Sequence, residues 1–256
     1  MSVREHVEFL AGSEHRVAVL ETLRDRPSRP CELETALDAS RATVQRALTG
    51  LTDRGWIHKE RGTYRLTAAG ALVLRAYDDL LDLVAAVDDA GETLALLDAA
   101  SVDVPPEAVR TVTVTRATAK TPHAPIERYA RLLAETEFDS FRGVSPVVSP
   151  VFDEVHRPLV EGGCPIELVV DEETFRAANR QRDDAPLPED APFTLYVHPD
   201  PIDVGLSLFG DRAVVGAYDD HGRFRASLDG TDEAFVEWCS TLFARHRDAA
   251  RPVEIA

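Results

Sequence analysis

Between Arg41 and Arg65 six side chains are cationic, Arg41, Arg46, Arg54, Lys59, Arg61 and Arg65, against two acids, Asp53 and Glu60. Guanidinium and ammonium groups at that density neutralise phosphate, and arginine and glutamine also offer paired hydrogen-bonding groups to base edges in a major groove. Gln45 and Arg46 are the candidates for bases. Arg41 and Thr43 suit bases or the phosphates beside them, and Thr49 shares their face. Lys59, Arg61 and Arg65 suit the backbone or the minor groove, whereas an ion pair with Asp53 or a neighbouring acid explains Arg54 equally well.

Other chemistries lack their residues. There is no Walker loop, no Gly-x-Ser-x-Gly elbow and no His-Glu-x-x-His pair. His198, in His-Pro-Asp200, and His221 stand singly in turn-forming sequence. Cys31, Cys164 and Cys239 are odd in number and far apart, which fits buried thiols better than disulfides or a metal clip. The expectation is therefore no catalytic residue, no metal and no cofactor.

The cationic side chains need elements to hold them. Ser13 caps a helix carrying Val17, Leu20 and Leu23, and Pro30 opens a shorter one with Leu33 and Leu37. Ser40 caps a third, in which Val44, Leu48 and Leu51 follow i, i+4, i+7, so Arg41, Thr43, Gln45, Arg46 and Thr49 fall on its outer face; Gly55 is placed to end it. From Trp56 to Leu66 two short strands turn at Arg61-Gly62. Three helices and a hairpin in that order predict a winged helix over residues 1–70.

Thr67 caps a helical stretch reaching about Ala99. Val73, Tyr77, Leu80, Val84, Val87, Gly91 and Leu94 alternate in steps of four and three, the spacing of a two-helix seam; Leu72, Ala76, Leu83 and Leu97 widen it. A dimer seam and a helix packed on its own domain both account for this, and Gly91 is a point where it could divide. Residues 71–104 are expected as a helical linker ending at Val104-Pro-Pro106, with an α/β domain over 105–256. There strands are predicted at 111–115, 140–144, 166–170, 193–198, 204–209, 212–218 and 224–228, and helices at 126–136, 152–161, 172–181 and 232–247. Alternation followed by hairpins predicts a mixed sheet.

The net charge is −17, yet residues 1–70 are nearly balanced, so a basic stretch lies on an acidic body. Only Lys59 and Lys120 are lysines among 28 basic residues, a bias that resembles proteins of salt-loving archaea. No apolar run is long enough to span a membrane and no signal peptide is written at the N-terminus, which places the chain in the cytoplasm.

Leu33, Ala36, Leu37, Ser40, Val44, Leu48, Leu51, Gly55 and Trp56 resemble the pattern of MarR-like and ArsR-like winged-helix regulators over about residues 5–70. Ala124–Tyr129, Arg142–Pro150, Gly205–Phe209, Val215–Asp219, Gly222-Arg223 and Trp238–Arg247 resemble the sensor domain of archaeal methanogenesis-regulatory proteins. That likeness implies an effector-responsive α/β domain of phospholipase-D-like fold without catalysis; the His-x-Lys pair of a phosphodiesterase of that fold is absent. Its effector site is sought at Arg142, Ser145 and Ser149, where Ser149-Pro150 opens a helix whose N–H groups suit an anion, with Tyr129 and Asp219 as lining. Together these readings give two domains, a winged helix and a mixed α/β domain joined by a long helix. The partners expected are double-stranded DNA, read as a homodimer, and a small-molecule or anionic effector; a winged helix that docks another protein is the rival reading.

Overall fold

The computed structural model describes residues 2–181 and 192–253, with two compact units, Met1–Asp82 and Leu83–Ala256.

The first unit contains α1 (Val3–Ala11), α2 (Glu14–Asp25), α3 (Pro30–Ala36), α4 (Arg41–Asp53), the strands β1 (Ile57–Glu60) and β2 (Thr63–Leu66), and the start of α5 (Ala68–Ala99). Ser40 caps α4, its Oγ accepting from the Thr43 N–H at 3.2 Å, and Gly55 leaves the helix at φ 70°. Leu20, Leu33, Val44, Leu48, Leu51, Ile57 and Leu74 close one core, where truncating a leucine to alanine costs about 2–5 kcal/mol. The hairpin turns at Arg61 (φ 50°) and Gly62 (φ 87°), the paired positive angles that match strand twist. Ser28 pairs with Tyr64 through N–H···O bonds of 3.1 and 2.8 Å, lengthening this small sheet on one side. The opening helix α1 is absent from the sequence reading. A Ser2–Glu5 capping box starts it and Leu10 anchors it in the core.

The helix α5 runs unbroken through Gly91. Within the first unit Val73, Leu74 and Tyr77 meet its core. Within the second, Ala86, Ala90, Leu94 and Leu97 meet the core there. Of the expected seam, Val73, Tyr77, Leu94 and Leu97 are thus used inside the chain, near its two ends. Leu80, Val84 and Val87 remain 49%, 49% and 43% exposed. The expected linker over 71–104 also divides, because the units part between Asp82 and Leu83. Val104 packs on the second core and Pro106 opens a short helix, α6 (Pro106–Val109), whose Ala108 and Val109 are buried.

The second unit continues with β3 (Thr113–Arg116), α7 (Ala124–Glu135), β4 (Phe141–Ser145), α8 (Pro150–Glu161), β5 (Ile166–Asp171), α9 (Glu172–Gln181), β6 (Phe193–His198), β7 (Val204–Phe209), β8 (Arg212–Tyr218), β9 (Phe224–Gly230), α10 (Glu233–Ala249) and β10 (Arg251–Val253). Eight strands form one sheet in the order β10-β6-β5-β4-β7-β8-β9-β3; β4, β5 and β6 are mutually parallel, and the other pairings are antiparallel. Strand alternation divides the apolar side chains between two faces. Val144, Leu206, Leu208, Ala213, Val215 and Leu228 pack with α10 and the end of α5. Phe141, Ile166, Phe209 and Val214 pack with α7 and α8 on the other side. Asp229, 1% exposed, accepts from Arg128 of α7 at 2.8 and 3.1 Å and from Arg212 of β8 at 3.2 Å, so its buried charge is paired and fixes α7 to the sheet.

Candidate nucleic-acid interface

On α4 the sequence periodicity puts Arg41, Gln45, Arg46 and Thr49 where the structure leaves them exposed. Arg46 lies along its own helix, its Nε donating to the Ala42 carbonyl at 3.2 Å. Thr43 differs from expectation. It is half-buried, its N–H donates to Ser40 Oγ, and its hydroxyl lies 2.9 Å from the Ser40 hydroxyl, so it completes the cap of the helix. In the hairpin Lys59 and Arg61 are exposed, with the Lys59 ammonium 5.5 Å from the centre of the Tyr64 ring. Arg65 pairs with Glu60 at 3.2 Å, both side chains about half exposed, a surface contact weak enough for a phosphate to displace. Among the described residues Arg41 and Arg61 carry no ion pair.

Behind α4 lies a brace that sequence reasoning missed. The guanidinium groups of Arg16 and Arg54 lie 4.0 and 3.5 Å from the centre of the Phe9 ring. Arg54 also donates to the Gly50 carbonyl at 3.0 Å, and Arg16 donates to the Phe9 carbonyl. Burial, with the charge of Arg54 beside it, lowers the pKa of Arg16. Arg54 is therefore held by an aromatic ring and its own helix, an arrangement that neither the ion pair nor the DNA contact considered for it describes. Cationic spacing alone cannot separate an arginine that meets a ring from one that meets solvent.

The five residues expected at an effector site separate. Ser145 and Tyr129 line one cavity beneath α7 and α8. Arg142 lies three residues before Ser145 on β4 and so points to the opposite face of the sheet, where its guanidinium lies 5.6 Å from the Phe243 ring centre of α10. Ser149 is the N-cap of α8 without a side-chain bond to the helix, and Asp219 accepts from the N–H groups of His221 and Arg223, closing a turn. Strand residues an odd number of positions apart face opposite sides of the sheet, so Arg142 and Ser145 do not converge on one anion. His198 likewise closes a turn with Asp200 at 3.1 Å. Cys239 is buried, and that burial raises its thiol pKa; Cys31 is exposed.

Residues 4–89 match a family model described as HVO_A0261 N-terminal domain, and residues 122–249 match that of the methanogenesis regulatory protein FilR1, middle domain. These matches define a regulatory protein. The second spans half of the 256 residues, and the chain belongs to that family. No curated protein matches the chain. Among solved structures, the chain is similar to the archaeal chromatin protein TrmBL2, at 15% identity over 98% of this chain and 100% of that one, with a TM-score of 0.43. It is similar to Nuc of Salmonella typhimurium, a phospholipase D family member, at 10% identity over 56% and 99% with a TM-score of 0.42, and to HmgR of Pseudomonas aeruginosa at 13% over 94% and 96% with 0.26. All three scores fall below the level at which a shared fold follows. No described helix is long and apolar enough to cross a membrane.

Proposed function

We propose that this protein is a sequence-specific DNA-binding transcriptional regulator, with a winged helix of MarR-like or ArsR-like kind in its first unit and an effector-responsive domain of phospholipase-D-like fold in its second. One observation carries the reading: the exposed face of α4 and the turn of the hairpin gather Arg41, Gln45, Arg46, Lys59 and Arg61, while the rest of the chain is acidic. A helix presenting arginine and glutamine fits a major groove, and a hairpin tipped with cations fits the flanking backbone. The protein works in the cytoplasm as a homodimer on a pseudo-palindromic site, its second copy covering Leu80, Val84 and Val87 of α5. The second unit senses and does not catalyse, in keeping with a sequence that has no His-x-Lys pair.

Gel shift with genomic fragments in high potassium chloride finds the site. Arg46→Ala then costs about 1–3 kcal/mol at one base position, and Arg61→Ala weakens all sequences alike. No shift with any fragment favours a protein-docking winged helix, and an operator indifferent to Arg46→Ala removes α4 from the groove. Light scattering at micromolar concentration tests the dimer.

A further inference from the structure

A short apolar face of α5 is left open to solvent. Val73 and Tyr77, towards the start of the helix, pack into the first core, and Ala86, Ala90, Leu94 and Leu97, towards its end, pack into the second. Between these anchors Ala76, Leu80, Leu83 and Val87 succeed one another at steps of four, three and four, the repeat that lays a stripe along one side of a helix. Leu80 and Val87 come from the seam read in the sequence, and Ala76 and Leu83 from the stripe that widens it. Ala76, Leu80 and Val87 are exposed and Leu83 is half-buried, with the exposed Val84 beside them.

The order of these side chains decides what can cover them. About a midpoint between Leu81 and Asp82 the stripe fits its own reverse: Leu80 comes level with the partner's Leu83, and Ala76 with the partner's Val87. A parallel copy would instead set Ala76 against Ala76 and leave a gap whose lining atoms lose their contacts. Charge selects the same direction. Residues 68–81 hold Arg75, Asp78 and Asp79, whereas 82–99 hold Asp82, Asp88, Asp89, Glu92 and Asp98 and no basic residue. A parallel pair lays the acidic half of α5 against itself, and a reversed pair lays it against the half that carries Arg75. Spacing agrees as well. Ala68, where α5 begins, comes level with the partner's Ala95, so at about 1.5 Å per residue the two helix starts lie about 40 Å apart. Half-sites one duplex turn apart are separated by about 34–36 Å, while a parallel pair would hold the same starts about 10 Å apart.

We propose that this face of α5 binds the same face of a second copy of the chain, antiparallel, in the register that sets Leu80 on the partner's Leu83 and Ala76 on the partner's Val87. A twofold axis crosses the helix between Leu81 and Asp82, so each contact is made twice. The assignment rests on the reading of the protein as a dimeric DNA-binding regulator and deepens it, because it fixes the direction and register of the pair.

Disulfide trapping in the full chain without DNA tests it, with Cys31 and Cys164 replaced by alanine. A disulfide needs Cα atoms within about 7 Å. Ala76→Cys, mixed with Val87→Cys and left to exchange before oxidation, gives the covalent pair. Neither variant links to itself, because like positions lie about 16 Å apart along the reversed helices. Leu80→Asp weakens the dimer at least tenfold in light scattering, with helix content by circular dichroism unchanged. Ala76→Cys linking to itself as readily as to Val87→Cys overturns the direction and register while leaving a dimeric regulator standing. A Leu80→Asp protein that is folded and as dimeric as the parent removes the interface from α5, and a parent chain that is monomeric at micromolar concentration overturns the pairing together with the dimer. Crosslinks in the expected pattern from a protein that shifts no operator support the contact and count against the DNA reading alone.

Discussion

Gly50 occupies the middle of α4, where glycine costs a helix about 1 kcal/mol relative to alanine. The structure supplies the reason for keeping it: a β-carbon there would lie 2.5 Å from Phe9 Cζ, within the ring held by Arg16 and Arg54. Gly50→Ala therefore destabilises the first unit by about 1–3 kcal/mol through overpacking. In a Phe9→Ala background the same change stabilises, because only the helix-propensity gain remains. Urea denaturation followed by Trp56 fluorescence with Trp238→Phe in place measures both; equal effects in the two backgrounds would show that the ring is not the obstacle. The exposed positions Arg41, Gln45, Arg46 and Thr49 were legible because a 3.6-residue period fixes which side of a helix faces out. The partners of Thr43 and Arg54 were not. A cap hydroxyl and a ring nine residues from the N-terminus leave no mark in that period.

At the level of elements, most of α4, the hairpin, α5 and the strands from β4 to β9 could be read from caps, alternation and glycine turns. The shorter pieces could not. In α1 the residues Val3 and Val7 are exposed, so no apolar stripe announces it; α6 has four residues, and β10 is Arg-Pro-Val, with proline arguing against a strand. Gly91 was read as a point of division in α5, yet the helix continues through it, with nothing within 4 Å of where a β-carbon would be. Gly91→Ala consequently stabilises the protein by about 0.5–1 kcal/mol, from helix propensity and from fewer conformations of the unfolded chain. Thermal unfolding and the operator gel shift, run side by side, decide what the glycine is for. A stability gain with unchanged binding makes it incidental, whereas a gain accompanied by lost effector response gives it a functional flexibility that the continuous helix conceals.

On the scale of the whole molecule the order of strands was beyond the sequence, because β4 becomes the neighbour of β7 only through pairings between residues more than sixty apart, such as Phe141 with Phe209, although β7 and β8 join in a local hairpin. The cavity beneath α7 and α8 is a product of that pairing, since Gly143, Gly205 and Gly216 reach its lining from three strands. The charge, in contrast, is a whole-chain property visible from the start. A net −17 with only two lysines is self-repelling in dilute buffer. Raising potassium chloride from about 0.1 M to about 1 M shortens the screening length from about 10 Å to about 3 Å, less than the spacing of most surface carboxylates. Repulsion within the folded body then falls, and its midpoint of thermal unfolding rises, mostly below about 1 M where screening changes fastest. The same salt weakens phosphate contacts, so operator affinity declines on a log-log plot with a slope set by the number of phosphates neutralised. Replacing potassium chloride with sucrose controls for a general preference for compact states, since a neutral osmolyte favours burial without screening. If sucrose raises the midpoint as much as salt does, or the midpoint stays flat between 0.1 and 2 M, self-repulsion is not what limits this fold. The acidic surface would then need a different explanation from adaptation to molar salt.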